Sequence, residues 1–400
     1  MSFVASVDFV SLLKRRSKKS IIVCDGFKSS QDIVKVRKEG SVQIWAAPRH
    51  TVGNIESSFH PKLALIKFSK SIRIFIGTGN FFTDDWNKYA NAFWMKDYRF
   101  IINSSISKSS FANYLEAFCA TCLGKSWMDA CRTLDLDIGR YCIDSEYFFP
   151  IASFPSTLAS KSGFKTGLDR FEQVLYDCPP IHPYSLENTK LSSLTSSVNS
   201  INSALLYDLT RAIMGNHSIN WAQVANDKSL LLNAWEILYP SQRFVEGSHF
   251  GESGADCLFL RKTDFERAKF EKSPMRKYAT KGRYQGCDQI LPHLKLLVVR
   301  HGANTDDDTL IYVGSHNLTK AAWGNRDVVK GEYFTYNFEL GVLLPPWPGS
   351  KRAKIGLLER MNVNFDTASF EKKDQPFFSD QRQTMKNVRR GKEELIFKYH

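Results

Sequence analysis

The sequence of 400 residues lacks any long apolar run, and this absence excludes one class of protein at once. A membrane-spanning helix needs about 18 or more consecutive apolar residues, and no such stretch occurs, so we expect no membrane span. The opening MSFVASVDFVSLLKRR places its basic residues after the apolar run and interrupts that run with Asp8. A secretory signal has the opposite order, so we expect no such signal here.

Cysteine is also scarce: the eight thiols are scattered, and the one close pair is Cys119-x-x-Cys122. That pair lies in FANYLEAFCATCLGKSW, which has helical periodicity, and no second pair follows at zinc-ligand spacing. A metal site at this pair is the minor alternative, and buried, reduced thiols of an intracellular protein are the better interpretation. We therefore expect no bound metal and no cofactor.

Acidic residues are outnumbered, 41 against 54 lysines and arginines, which leaves a formal net charge of +13 and a pI near 9.2. Such an excess suits a polyanionic partner, either nucleic acid or an anionic membrane surface. The alternative is a generally basic protein without such a partner. Within this excess, the cluster KRRSKK at 14–19 is a nuclear-import signal, the solvated end of a helix or a set of phosphate contacts.

The chain is longer than one hydrophobic core usually serves, so two domains are expected. In the first 80 residues the apolar patterns predict the order β-α-β-α-β-β-β, with helices at DFVSLLKRR and SSQDIVKVRKE. A helix over 108–133 and a strand near 140 follow. A Pro-, Ser- and aromatic-rich stretch at 148–163 predicts the boundary between domains 1–150 and 151–400. The layout is that of an α/β fold with mixed sheets.

An internal repeat is the most informative feature present. HPKLALIKF followed by GTGNFFTDDW occurs in the first half, and HLKLLVVR followed by GSHNLTKAAW occurs 233 residues later. Each copy has a His-x-Lys before an apolar strand, an Asn after a Gly-Thr or Gly-Ser, and a Trp six residues beyond that Asn. The repeated positions are His60, Lys62, Asn80 and Trp86, and then His293, Lys295, Asn317 and Trp323. A single His-x-Lys carries no information, whereas its repetition with matching followers predicts a site. The two tryptophans are better interpreted as core or scaffold.

Two convergent His-Lys-Asn sets suit in-line displacement at phosphorus. Residues i and i+2 of a strand share one face, so each His lies beside its Lys. One imidazole attacks and forms a covalent phosphohistidine, while the other, protonated, gives its proton to the leaving oxygen. The Lys and Asn side chains then stabilise the charge on the phosphoryl oxygens. Because side chains supply the cations, this chemistry requires no metal ion.

The paired sets resemble the phospholipase D superfamily, and closely its tyrosyl-DNA phosphodiesterase branch, which acts on DNA 3′ ends. The usual superfamily motif has an Asp five residues after the Lys, whereas this sequence has Lys67 and Arg300 there. Loss of that Asp is the variant of the tyrosyl-DNA branch. The segments LPHLK, GSHNLTKAAWG, FELGVLLPP, NFFTDDW, TSSVNS and LYPS are also similar to that branch, in order over most of 1–348. The resemblance implies two similar α-β-α domains forming a pseudo-dimer with the active site at their interface.

Carried over position by position, the resemblance implies a role for each repeated residue. His60 is the nucleophile and His293 the general acid and then the general base. The phosphate-binding residues are Lys62, Lys295, Asn80 and Asn317. Glu339 matches an acidic residue that orients one catalytic imidazole. Asn91 stands where the family has Gln, one methylene longer, which leaves its contact with the partner histidine open. Family members carry a further segment before the first strand, whereas this chain starts near that strand.

For DNA, the resemblance implies backbone contacts from Ser196 and Ser197, with an ordinary polar turn as the alternative. The family aromatic that stacks on a base has no counterpart, because position 56 is Glu, and Phe59 and Phe81 are the nearby candidates. A basic groove with aromatic stacking binds single strands without reading their sequence. Such binding weakens with salt.

The resemblance thus implies a monomeric, metal-independent DNA-repair phosphodiesterase. Its partners are DNA 3′ ends that carry a covalently attached topoisomerase I peptide. It would hydrolyse the phosphotyrosyl bond and other 3′ adducts, leaving a 3′-phosphate, in the nucleus or also in mitochondria. Two alternatives remain: another phosphodiesterase of the superfamily, either a nuclease or a phospholipase, or an inactive nucleic-acid-binding homologue.

Overall fold

The computed structural model describes residues 1–2, 5–26, 33–101, 109–143, 148–159, 163–179, 184–198, 201–215, 221–282, 286, 288–302, 309–327, 332–345, 361–371 and 373–381. Within these residues both halves of the chain combine helices with mixed sheets. Parallel and antiparallel strand pairs occur in each half, so the α/β class is confirmed. No helix among these described ranges is long and apolar enough to cross a membrane.

The first half contains two three-stranded sheets. One has the order β1-β3-β2 and the other the order β6-β7-β9. The strands are β1 (Ser20–Cys24), β2 (Val34–Glu39), β3 (Val42–Ala46), β4 (Thr51–Val52), β5 (Ile55–Glu56), β6 (Leu63–Lys67), β7 (Ser71–Gly77), β8 (Tyr89–Ala90) and β9 (Phe93–Arg99). The helices are α1 (Val7–Arg16), α2 (Thr83–Lys88), α3 (Ser110–Leu123) and α4 (Ser126–Leu134), with a 3₁₀ turn at Ile138–Arg140.

The second half is built on one seven-stranded sheet with the order β10-β19-β16-β15-β11-β12-β13. Its strands are β10 (Phe149–Ser153), β11 (Thr189–Thr195), β12 (Trp235–Tyr239), β13 (Met275–Lys277), β15 (Lys295–His301), β16 (Leu310–Gly314) and β19 (Glu339–Leu344). Shorter strands are β14 (Leu291–Pro292), β17 (Asn325–Asp327) and β18 (Glu332–Phe334). The helices are α5 (Ser156–Ala159), α6 (Gly167–Asp177), α7 (Ser203–Met214), α8 (Trp221–Asn226), α9 (Lys228–Ala234), α10 (Gln242–Glu246), α11 (Lys262–Phe265) and α12 (Lys320–Trp323), with a 3₁₀ segment at Gly251–Cys257.

Two backbone exchanges join the halves next to the repeated histidines. β14 runs parallel to β8 and pairs with it, and the amide of His293 donates to the carbonyl of Ala90 at 2.9 Å. In the related exchange, Phe59 bridges to Phe338 and the amide of His60 donates to the carbonyl of Phe338 at 3.0 Å. The residue before each histidine is thus held by the opposite half.

A continuous apolar core fills the interface between the halves. It includes Ile74 and Phe111 from the first half together with Val298 and Leu340 from the second, and all four side chains are fully buried. A second core lies wholly within the second half, between its sheet and the helices α6 and α7. The division into domains 1–150 and 151–400 stays a prediction, although β10 joins the sheet of the second half at the proposed boundary.

The predicted order of elements in the first 80 residues is wrong at two places. SSQDIVKVRKE was expected to be helical, but its described part forms strand β2, which pairs antiparallel with β3. The Val-Lys-Val alternation has the period of a strand, and because β2 is an exposed edge strand its charges resembled a solvated helix. The first strand, expected over SFVASVDFV, is wrong from Val7 onward, because helix α1 begins there with the Ser6 hydroxyl accepting from the amide of Phe9. Residues 3–4 of that segment lie outside the described residues.

Two further predictions need correction. The helix expected over 108–133 is two helices, because α3 ends at Gly124, whose φ of 54° leaves the helical region. The strand expected near 140 is a 3₁₀ turn at Ile138–Arg140. Residues 102–108 lie outside the described residues.

Candidate active site

Each repeated lysine is buried directly beneath its histidine. Lys62 is 0% exposed and lies just before strand β6, while Lys295 is 1% exposed and begins strand β15. The Lys62 ammonium group donates to the carbonyl oxygen of His60 at 2.7 Å, and that of Lys295 donates to the carbonyl of His293 at 3.1 Å. Lys295 also lies 3.5 Å from the carbonyl of Thr78 in the other half. The two His-x-Lys sets therefore meet at the interface, as the repeat predicted.

Glu339 lies against His60. Its Oε2 atom is 2.8 Å from Nδ1 of the imidazole, and the carboxylate is 1% exposed. The hydroxyl of Ser315 donates to the same oxygen, and the side-chain NH₂ group of Asn337 donates to Oε1 at 3.2 Å. The histidine comes from the first half and the carboxylate from the second, so this contact crosses the interface.

Asp85 lies against His293 and was missed by reasoning from the sequence. Its Oδ2 atom is 3.2 Å from Nδ1 of His293, with side-chain exposures of 7% and 8%. The contact has an ion-pair distance but not the alignment of a straight hydrogen bond. The same oxygen accepts from the backbone amide of Asn80 at 2.6 Å. A signal for Asp85 was available in the sequence, because NFFTDDW has a carboxylate where the second copy has Ala322.

Asn91 was the expected partner of His293, and the structure gives it different partners. Its Oδ1 atom accepts from the hydroxyl of Thr78 at 3.0 Å, and its Nδ2 donates to the carbonyl of Asp85 at 2.6 Å. A β-carbon added at Gly79 would lie 2.8 Å from the Cγ of Asn91. The side chain of Asn91 is therefore folded against the backbone of its own half, in space that Gly79 leaves open.

The hydroxyls of Thr78 and Ser315 show that the two halves share one backbone design. In the first half, the amide of Ala92 donates to the Thr78 hydroxyl at 3.0 Å, and the Thr78 amide donates back to Ala92. In the second half, the amide of Leu340 donates to the Ser315 hydroxyl at 2.9 Å, and the Ser315 amide donates back to Leu340. The residues before Ala92 and Leu340 are Asn91 and Glu339, so these two positions are equivalent.

The two asparagines are held differently. Asn317 accepts on Oδ1 from the hydroxyls of Thr195 and Ser196, at 3.1 and 3.2 Å. An amide oxygen occupied by two hydroxyls leaves the NH₂ group as the donor for a ligand. Asn80 is fixed through its backbone, since its amide donates to Asp85 and its carbonyl accepts from the indole of Trp86 at 2.7 Å. Its Oδ1 atom is buried and makes no hydrogen bond within the described residues.

The two tryptophans differ in burial. Trp323 is 3% exposed and packs in the core of the second half, as predicted. Trp86 is 39% exposed and packs with Phe75 and Phe93, at ring-centroid distances of 5.8 and 6.1 Å. Both therefore serve as scaffold, but Trp86 does so at the surface.

Two buried ammonium groups face two buried carboxylates across the site. Burial lowers the pKa of Lys295 to about 8, against the opposing effect of Asp85. Burial and the charge of Lys295 hold the pKa of Lys62 well below its usual range. Burial of Glu339 opposes its ionisation, but its contact with His60, together with the nearby His316 and Lys62, outweighs burial and lowers its pKa to about 2. The cluster is arranged to receive an anion, whose charge would offset the repulsion between the two lysines.

Both imidazoles are held in the neutral form at neutral pH. Burial lowers the pKa of His60, although Glu339 opposes this shift. Burial and the ammonium of Lys295 lower the pKa of His293, although Asp85 opposes it. A neutral His60 has the lone pair that a nucleophile needs. An anion between the lysines would raise the pKa of His293 toward the value a general acid requires.

The residues expected to bind DNA are placed unevenly. Ser196 is 2% exposed and contacts Asn317, while Ser197 is half-buried and bridges to Phe259. Phe59 is 0% exposed and packs on Phe338, and Phe81 is 8% exposed and stacks on Phe9. Neither phenylalanine presents a ring face to solvent, so the expectation that one of them stacks on a base is wrong. Both belong to apolar cores, which the local sequence did not reveal.

An exposed aromatic does stand beside the serine turn. The backbone amide of Phe259 donates to the carbonyl of Ser196 at 2.8 Å, and its carbonyl accepts from Val198 at 3.0 Å. Its side chain is 52% exposed. Sequence reasoning missed Phe259, because nothing in the surrounding DCLFLRK links it to the serine turn.

The remaining sequence features lie away from the histidines. Cys119 and Cys122 are buried in helix α3, where burial raises the pKa of both thiols. In the cluster at 14–19, Lys14 pairs with Glu39 and the basic side chains around it are exposed at the end of α1. The described part of the chain contains no cluster of three or more His, Cys, Asp or Glu side chains arranged to hold a metal ion.

The fold and the paired His-x-Lys sets are those of the phospholipase D superfamily, with two similar halves and the site between them. Within that superfamily, the family model described as Tyrosyl-DNA phosphodiesterase matches residues 1–391, and the chain belongs to this family. The resemblance stated from the sequence is therefore confirmed.

The curated relatives are distant in sequence. The chain is 21% identical over 334 residues to tyrosyl-DNA phosphodiesterase 1 of Arabidopsis thaliana, covering 79% of this chain and 51% of that protein. It is 22% identical over 307 residues to tyrosyl-DNA phosphodiesterase 1 of Drosophila melanogaster, covering 72% of this chain and 50% of that protein. The chain thus spans about half the length of these relatives.

Crystal structures of the yeast tyrosyl-DNA phosphodiesterase have the same fold. One of them superposes with a TM-score of 0.62 at 17% identity, covering 86% of this chain and 82% of the yeast chain. A point mutant of the yeast protein superposes with a TM-score of 0.66 at 16% identity, covering 95% of this chain and 92% of the other. The predicted fold class is confirmed by this likeness.

Proposed function

We propose that this protein hydrolyses the 3′-phosphodiester bond between DNA and a tyrosine of topoisomerase I, and so repairs trapped DNA–protein adducts. One observation carries the proposal: two buried His-Lys sets meet across the interface, and each imidazole has a carboxylate from the opposite half. Membership of the tyrosyl-DNA phosphodiesterase family supports the choice of substrate.

In the first step, His60 attacks phosphorus. Its Nδ1 is engaged by Glu339, so we assign Nε2 as the attacking atom. A P–N bond forms, the bond from phosphorus to the tyrosine oxygen breaks, and His293 gives that oxygen a proton. Glu339 stabilises the positive charge that develops on the imidazole of His60. Lys62 and Lys295 neutralise the phosphoryl oxygens.

In the second step, water attacks the phosphohistidine. His293, now neutral, takes a proton from the water as its oxygen bonds to phosphorus, and the P–N bond to His60 breaks. The products are a DNA strand with a 3′-phosphate and the original His60. Asn317 holds a phosphoryl oxygen through its NH₂ group, since its own oxygen is occupied by Thr195 and Ser196.

We assign the DNA strand to the surface that carries Ser196, Ser197 and Phe259. Ser196 touches Asn317, so a strand crossing this turn reaches the phosphate-binding residues. Phe259, with 52% of its side chain exposed, supplies a stacking face that accepts any base. The net charge of +13 supports binding to the backbone, and that binding should weaken as salt is added.

The proposal also covers the oligomeric state, the range of substrates and the cellular compartment. The protein acts as a monomer, on DNA ends that carry a topoisomerase I peptide and on other 3′ adducts. It works in the nucleus, with mitochondria as a second compartment. The exposed basic side chains at 14–19 support nuclear import.

The test is incubation of the protein with an oligonucleotide that carries a 3′-phosphotyrosine, in buffer with EDTA. We expect release of tyrosine and a 3′-phosphate product, with no loss of rate on adding EDTA. Absence of tyrosine release from this substrate would remove the proposed function, and loss of activity in EDTA alone would refute the metal-free mechanism.

Four controls accompany this test. An oligonucleotide with a 5′-phosphotyrosine tests for activity at the other end of the DNA. Phosphatidylcholine vesicles test for the alternative activity of a phospholipase. The variant His60→Ala should be inactive, whereas His301→Asn should retain activity. His301 ends strand β15 at the opposite end from Lys295, about 20 Å away at the rise of a strand.

A further inference from the structure

We propose that Asp85 is the residue that positions His293, so that each half of the protein supplies a carboxylate to the histidine of the other half. The inference rests on the proposed function, since it assigns a role within the same reaction. It deepens that function at the general acid and base, for which the sequence offered only Asn91.

Asp85 is held in the site by contacts of its carboxylate and of its backbone. Its Oδ2 atom lies 3.2 Å from Nδ1 of His293 and accepts from the amide of Asn80 at 2.6 Å. Its carbonyl accepts from the amide group of Asn91 at 2.6 Å, and its own amide donates to the carbonyl of Phe82 at 3.0 Å. One carboxylate oxygen and both backbone groups of Asp85 are thus engaged, and the residue is only 5% exposed. The charge is therefore directed at His293.

Asn91 contacts Asp85 and not the imidazole of His293. Its oxygen accepts from Thr78 and its amide group donates to the carbonyl of Asp85, so both ends of the amide are used within the first half. The described contacts form a relay from Thr78 through Asn91 and Asp85 to His293. Asn91 supports the residue that touches the imidazole rather than touching the imidazole itself.

In the second half a single residue contacts both the hydroxyl and the imidazole, whereas in the first half two residues share these contacts. Glu339 accepts from the hydroxyl of Ser315 and also contacts His60. In the first half, Asn91 keeps the hydroxyl contact with Thr78, and Asp85 supplies the negative charge. The position equivalent to Asp85, five residues after Asn317, is a buried alanine. The two halves thus reach the same result, one carboxylate per imidazole, by different routes.

The carboxylate has a chemical consequence for the reaction. Beside the imidazole it favours the protonated ring, which the general acid must be in the first step. Its ion-pair contact lies at Nδ1, which leaves Nε2 as the ring atom whose proton moves. A neutral amide at the same place would hold the ring without stabilising its charge. Asp85 is therefore expected to matter most when the departing oxygen needs a proton.

The test uses Asp85→Asn with two substrates that differ only in the departing group. One is the 3′-phosphotyrosyl oligonucleotide, and the other carries a 3′-(4-nitrophenyl) phosphodiester, whose phenolate leaves without a proton. We expect cleavage of the tyrosyl substrate to slow by about 10²-fold. We expect the first turnover of the nitrophenyl substrate to stay within about tenfold of the wild-type rate, followed by accumulation of the phosphohistidine adduct, because the second step still needs a base.

A matched control is Asp84→Asn, which removes the neighbouring carboxylate on the same helix. Asp84 pairs with Lys88 and not with His293, so both substrates should be processed at the wild-type rate. A second readout is the pKa of the His293 ring followed by NMR, which should fall in Asp85→Asn and stay unchanged in Asp84→Asn.

The outcomes separate the two proposals. Equal slowing of both substrates by Asp85→Asn without adduct, or an unchanged pKa of His293, would overturn the role of Asp85 while wild-type tyrosine release still supports the function. Adduct accumulation in Asn91→Ala but not in Asp85→Asn would return the role to Asn91. A wild-type protein that cleaves the nitrophenyl ester but never the tyrosyl ester would refute the function, and the NMR titration would still decide on Asp85.

Discussion

The side-chain oxygen of Asn91 accepts a hydrogen bond from the hydroxyl of Thr78 at 3.0 Å. This contact keeps Asn91 on the backbone of its own half, while the equivalent Glu339 reaches across the interface to His60 at 2.8 Å. The shorter side chain therefore stays within its own half, whereas the longer one contacts a histidine of the other half. Gly79 is part of it, because any larger residue there would meet the amide of Asn91.

The first prediction concerns Gly79. In Gly79→Ala the new methyl group would lie 2.8 Å from both Cγ and Oδ1 of Asn91, so the amide must move and release its bond to the Asp85 carbonyl. We expect a loss of about 1–3 kcal/mol in the free energy of unfolding, measured by urea denaturation. In the background of Asn91→Ala the same change should cost less, and additive losses in the double variant would contradict the account.

A second prediction concerns the charge on Glu339. Glu339→Gln keeps the size of the side chain but removes the carboxylate that stabilises the charged imidazole of His60. We expect the rate of adduct formation, measured in a single turnover by rapid quench, to fall by about 10²–10³-fold. Glu236→Gln is the matched control, because that carboxylate pairs with Arg300 and lies outside the site. Similar rates for the two variants would show that the charge of Glu339 is not used.

The third prediction is a pH profile. Lys62 and Lys295 bind phosphate only while protonated, and burial lowers the pKa of both, that of Lys295 to about 8, so kcat/KM should have fallen once the pH has risen through 8. On the acid side kcat/KM should fall only below the usual pKa of histidine, because burial lowers the pKa of His60 and keeps the nucleophile neutral. The profile is measured at constant ionic strength, since salt also screens binding. A flat profile up to pH 10 would contradict this assignment, whose basis is the burial of Lys295.

A fourth prediction concerns DNA binding by Phe259. Phe259→Ala should weaken binding of a single-stranded oligonucleotide by about 1–3 kcal/mol, measured by fluorescence anisotropy, because a stacking face is lost. Phe259→Trp should retain most of the affinity. Tyr176→Ala is the control, since that aromatic is 75% exposed on helix α6 and lies apart from the serine turn in sequence and contacts. An equal effect of both alanine variants would remove Phe259 from the DNA path.

The repeat in the sequence was sufficient to predict which histidines and lysines meet. The repeat shows both which residue types recur and at what spacing. In the structure the backbone amide of each histidine donates to a carbonyl of the opposite half. What the sequence could not show was tertiary burial, so Phe59 and Phe81 were mistaken for exposed aromatics. The prediction also looked for the partner of His293 at the position equivalent to Glu339, whereas Asp85 comes from a different place in the chain. The prediction of a helix at edge strand β2 was wrong for a local reason. The alternating valines and lysines of this strand are exposed on both faces, so no buried face marked it as a strand.

The inequality of His60 and His293 is the central claim, and trapping the covalent intermediate tests it most directly. His293→Ala is incubated with a 3′-phosphotyrosyl oligonucleotide, quenched under mildly basic conditions and digested, and the DNA-bearing peptide is identified by mass spectrometry. The account predicts a slowly resolved adduct on His60, and none in the double variant with His60→Ala. An adduct on any other residue, or none at all while tyrosine is still released, would contradict it.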